Sequence, residues 1–68
     1  MITITVTSES LAKKAETVMS NEVLYNPNLS GAKYEIEDGD YNQIDGVDEY
    51  VGASLYELIF NSNDEWPS

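Results

Sequence analysis

The sequence predicts an α+β domain in the order β-α-β-β-α, with a small, mostly antiparallel sheet carrying its helices on one face. Three observations predict it. Ile2, Ile4 and Val6 alternate strictly with Thr3, Thr5 and Thr7, the period of a half-buried strand. Apolar residues then recur at helical spacing from Leu11 to Met19, and alternation returns from Ala32 to Glu37 before an Asp38-Gly39 pair.

Each element has a local reason. Ser8 is placed to cap a helix running to about Ser20, with Leu11, Ala12, Ala15, Val18 and Met19 on one side and Lys13, Lys14, Glu16 and Thr17 on the other. Asn21 reads as its stop, and Glu22 to Tyr25 as a short strand or edge. Asn26-Pro27-Asn28 and Ser30-Gly31 are turn chemistry. In the next strand Ala32, Tyr34 and Ile36 face the core while Lys33, Glu35 and Glu37 face water, and Asp38-Gly39 signals a hairpin into a strand from Tyr41 to Ile44.

The segment from Val47 to Asn61 fits two periods. Val47, Tyr50, Val51, Ser54, Leu55, Leu58 and Ile59 are spaced for a helix behind Asp45 as cap, whereas Tyr56, Leu58 and Phe60 also fit a strand. Helix is the preferred reading, although Gly52 costs it about 1 kcal/mol relative to Ala. Residues 63–68 read as a tail. Among the tyrosines, Tyr34 and Tyr50 are expected in the core.

A chain of 68 residues has room for one domain and one core. It contains no Cys and no His, which removes disulfides and thiolate or imidazole zinc sites as supports. Packing alone must hold the fold, or packing with a second copy in a homodimer. The N-terminal run has no basic stretch followed by an apolar one, so the expectation is a cytoplasmic protein without a membrane anchor.

Charge divides the chain. The net charge is −10, yet in residues 1–33 Glu9, Glu16 and Glu22 are balanced by Lys13, Lys14 and Lys33. From Tyr34 onward there are ten acidic residues and no basic one. Residues 1–33 are therefore a neutral scaffold half, and residues 34–62 an acidic hairpin and second helix. Such a field repels nucleic acid and anionic lipid and attracts basic surfaces, so neither direct nucleic-acid nor membrane binding is expected.

Catalytic chemistry has little to work with. Without His, Cys or Arg there is no imidazole base, thiolate nucleophile or guanidinium clamp, and acids are too abundant for any carboxylate pair to be informative. No cofactor is implied. Asp38, Asp40, Asn42 and Glu49 have calcium-loop spacing, but Gln43 stands where that loop needs Gly and Asp45 where it needs an apolar residue. A turn with solvated acids accounts for them, and no metal site is expected.

The acids themselves are the informative feature. Glu35 and Glu37 lie two strand rises of about 3.3 Å apart, a sparser version of the phosphate line of a duplex. Interspersed tyrosines suit arginines that take both a salt bridge and a ring. The expected partner-binding residues are Glu35, Glu37, Asp38, Asp40, Tyr41, Asp45, Asp48 and Glu49, and the expected partner is a protein with a basic nucleic-acid-binding surface.

In size, acidity and absence of catalytic chemistry the chain resembles the small phage-encoded inhibitors, the anti-CRISPR and anti-restriction proteins, several of which mimic DNA. That resemblance implies a non-enzymatic inhibitor acting on a protein such as a CRISPR effector. The stretch Leu55-Tyr56-Glu57-Leu58-Ile59 through Asp64-Glu65-Trp66 is similar to the acidic C-terminal helix of the DNA-damage-inducible modulators of the RecA recombinase, although Asn61, Ser62 and Asn63 stand where that family has more charge. It implies a modulator of a RecA-like recombinase as the alternative. A third reading is a structural subunit assembling through Tyr56, Phe60 and Trp66.

Overall fold

The computed structural model describes residues 1–61. Strand β1 (Ile2–Val6) leads into helix α1 (Glu9–Tyr25), a single 3-10 turn (Pro27–Leu29), β2 (Tyr34–Asp38), β3 (Gln43–Asp45) and α2 (Glu49–Tyr56), which ends in a wider π turn (Glu57–Asn61). The α+β class and the β-α-β-β-α order are those read from the sequence. The expected tail lies outside the described residues.

Strand β1 is the centre of the molecule. Ile2, Ile4 and Val6 are 3, 0 and 1 % exposed and meet Ala15, Val18 and Met19 of α1, Leu29 of the 3-10 turn, Leu55 of α2 and Ile59 of the π turn. Both helices thus cover one face of the sheet. The molecule measures 27 × 27 × 18 Å, and its short dimension accommodates one sheet layer and one helix layer. The other face of the sheet is open.

The sheet corrects one expectation. Its order is β2-β1-β3, with β2 parallel to β1 and β3 antiparallel to it, so it is mixed and the hairpin anticipated at Asp38-Gly39 does not form. The 17 residues of α1 are long enough to carry the chain back over the sheet to a parallel position. Putting the most apolar strand in the middle gives it a partner on each edge.

Gly39 is the residue that lets the chain pass from β2 to β3. Its N–H donates to the Val6 carbonyl at 2.9 Å, and a Cβ at this position would run into the Thr5 Cγ2 methyl. The glycine provides clearance over the end of β1 and not the left-handed turn of a hairpin. Gly46 is different: φ of +89° turns the chain out of β3, and a Cβ there would meet the Met1 carbonyl oxygen.

Two helix boundaries also move. Ser8 caps α1 as expected, its Oγ accepting from the Leu11 N–H at 3.2 Å. The helix continues through Asn21, however, to a C-cap at Asn26, whose N–H donates to the Glu22 carbonyl and whose side-chain amide donates to the Glu22 carboxylate at 3.0 Å. Residues 22–25 are helix and not strand. Helix α2 is capped by Asp48, not Asp45, and the third strand starts at Gln43 rather than Tyr41.

Candidate partner-binding surface

The open face of the sheet is where the acidic half becomes a surface. Since Ile2, Ile4 and Val6 point into the core, Thr3 and Thr5 point out, and strand register fixes what stands beside them. Thr3 lies between Glu35 of β2 and Asp45 of β3, and Thr5 between Glu37 and Gln43. The result is two rows across the sheet, Glu35-Thr3-Asp45 and Glu37-Thr5-Gln43.

Hydroxyls and amide hold the carboxylates loosely in place. Thr3 Oγ1 donates to Glu35 Oε1 at 3.5 Å and Thr5 Oγ1 to Glu37 Oε1 at 3.4 Å, while Gln43 Nε2 donates to Asp45 Oδ2. Glu35 and Glu37 are separated by two rises, about 6.6 Å, and Glu35 and Asp45 by two strand spacings, about 9.5 Å. All three are solvent-exposed. Lys33, which continues the alternation of β2, marks the end of this face nearest Met1 and is the boundary of the negative region.

Three of the eight expected contact residues therefore share one face: Glu35, Glu37 and Asp45. Asp38 alternates with them and belongs to the helix-bearing side, at the end of β2 opposite Val6. Asp40 and Tyr41 are exposed on the crossover between β2 and β3, Tyr41 by 63 %. Asp48 has a structural task, its Oδ1 accepting from the Val51 N–H at 2.8 Å. Glu49 occupies the first turn of α2, where a carboxylate complements the helix macrodipole.

Of the two tyrosines expected in the core, Tyr34 packs against it and Tyr50 does not. Tyr34 is half-buried, and its hydroxyl donates to Glu16 Oε1 at 2.9 Å with Ser20 Oγ at 3.1 Å, tying β2 to α1. Tyr50 is 82 % exposed and is no part of the core. The inward stripe of α2 is narrower than its helical spacing suggested, running through Val51 and Leu55 to Ile59. Tyr56 and Phe60 pack on one another, ring centroids 4.7 Å apart and tilted by 58°, while Trp66 lies outside the described residues.

Thr3, Thr5 and Gln43 are the residues of this face that charge alone did not single out. The signal for the threonines was present in the strict Ile-Thr alternation, which assigns them to the face that Glu35 and Glu37 share once the two strands are paired, whereas Gln43 joins them only through the pairing of β3 with β1. Among the described residues no group of three or more acids converges as a metal site, and no helix is long and apolar enough to cross a membrane. No protein-family model, curated protein or solved structure shows a significant match to this chain.

Proposed function

We propose that the domain is a non-enzymatic inhibitor that seats the open face of its sheet on a basic, normally nucleic-acid-binding surface of a cytoplasmic protein, in the manner of the anti-CRISPR and anti-restriction proteins it resembles. The observation that carries this reading is the face itself: Glu35, Glu37 and Asp45 exposed on one side of the sheet, without a lysine from residue 34 to the end of the chain. Carboxylates spaced at about 6.6 Å along a strand offer lysines and arginines a line of negative charge of the kind that a duplex backbone presents. The hydroxyls of Thr3 and Thr5, in the middle of the rows, make only long hydrogen bonds to Glu35 and Glu37 and leave both carboxylates exposed.

The face is also costly to keep without a partner. Like charges on one side of a small domain repel one another, in a molecule whose single core leaves little stability in reserve. Competition assays test the proposal: the protein should displace duplex DNA from its target, CRISPR effectors being the first to try, and NaCl should slow the association markedly. Displacement that is indifferent to salt would contradict it.

A further inference from the structure

A second surface lies on the other side of β3. The Ile2 N–H donates to the Lys33 carbonyl and the Gly39 N–H to the Val6 carbonyl, each at 2.9 Å, so the even-numbered residues of β1 aim their peptide groups at β2. Thr3 and Thr5 therefore aim theirs at β3, where they face Asp45 and Gln43. Ile44, opposite Ile4, is the non-hydrogen-bonded position of this ladder and turns its N–H and C=O away from β1.

Ile44 also lines a groove. Strand β3 is the end of the sheet, and beside it runs a groove of about 570 Å³ lined by Ile44 and Val47 and by Gly52, Ala53 and Tyr56 of α2. Val47 packs on the helix at Gly52, where a Cβ would come within 3.3 Å of its Cγ2, and Ala53 beside it is small and exposed. Asp48, Glu49 and Glu57 also line the groove, and no basic residue does. An outward-facing strand edge next to a helix, with apolar walls and carboxylates around them, has the components of strand addition.

We propose that this groove takes an extended, basic segment of a partner protein, which pairs with Ile44 as a fourth strand. Charge complementarity selects that occupant. A second copy of the domain would bring a like-charged groove against this one, which is unfavourable across a strand pair. The proposal does not depend on the sheet face, which works through the side chains of Glu35 and Glu37 and not through a backbone edge.

The test uses the whole protein and a capped seven-residue peptide alternating Val and Lys, with two controls: the same peptide N-methylated at alternate residues, and its Val-Glu counterpart. In NMR titrations the Val-Lys peptide should shift the amides of Ile44, Gly52 and Ala53 and slow hydrogen exchange at Ile44 by roughly tenfold or more. Ala53→Arg, which places a cation in the groove from an exposed position, should weaken binding at least about tenfold with an unchanged far-UV spectrum. Equal binding of either control, or an Ile44 amide that exchanges as before, overturns strand addition. Shifts confined to Glu35 and Glu37 overturn the groove while leaving the sheet-face reading intact, and self-association through β3 in place of peptide binding also refutes it.

Discussion

Gly39→Ala tests the crossing of the chain over β1, the step that sends β2 and β3 to opposite edges. The new methyl would land on the Thr5 Cγ2, which belongs to a β-branched side chain with little freedom to rotate. Overpacking of this kind costs about 1–3 kcal/mol. Set against it, replacing a glycine whose φ is not positive stabilises by about 0.4–1 kcal/mol through the unfolded chain. The net expectation is a loss of about 1–2 kcal/mol, the difference of those two effects.

Thr5→Ser removes the opposing methyl and keeps the hydroxyl that donates to Glu37. In that background Gly39→Ala should become neutral or stabilising, giving a coupling of about 1–2 kcal/mol in a double-mutant cycle. Urea unfolding followed by far-UV circular dichroism on the four proteins measures it. A tight β2–β3 hairpin would leave Gly39 remote from Thr5, so effects that add within about 0.5 kcal/mol would refute the crossover.

Other substitutions probe the core, a cap and the charge. Ile4→Ala, at a fully buried position on the central strand, should cost about 2–5 kcal/mol, which for a core of this size means a largely unfolded protein by circular dichroism at 25 °C. Asp48→Ala should lower stability by about 0.5–2 kcal/mol through loss of the α2 cap, read as a shifted urea midpoint; an unchanged midpoint would remove Asp48 from the capping role. Raising NaCl from low to physiological concentration should raise the thermal midpoint, because screening relieves repulsion within a chain of net charge −10.

The parts of the fold that were legible in the sequence are those that local chemistry decides. Ile2-Thr3-Ile4-Thr5-Val6 states its own period, Ser8 its capping role, and the Tyr34 to Asp38 segment its inner and outer faces. Sheet order is a long-range matter. Asp38-Gly39 has the composition of a tight hairpin, but the same glycine serves equally well where a strand end must be passed at close range, and only the placement of β1 between β2 and β3 separates the two. Asn21 and Asn26 are likewise interchangeable as stop signals until the Asn26 amide is seen on Glu22.

The candidate surface was half legible for the same reason. Alternation placed Glu35 and Glu37 together, since both lie on one strand. Asp45 joins them only through pairing of β3 with β1, and Asp38 leaves them by the same alternation that keeps them aligned. Asp48 was indistinguishable by charge from a contact residue, and its hydrogen bond to Val51 gives it another task. The groove beside β3 had no sequence signal, because an open strand edge is a property of sheet order.

Reversal of two charges on the open face tests whether that face docks on a surface built for phosphates. Glu35→Lys with Glu37→Lys should leave the far-UV spectrum and cooperative unfolding in place, since both side chains are exposed. The immobilised wild-type domain should capture from its host's lysate a nucleic-acid-binding protein that duplex DNA displaces, and the double variant should lose that capture. Capture of the same protein by a folded double variant, or capture that duplex DNA does not displace, would contradict the claim.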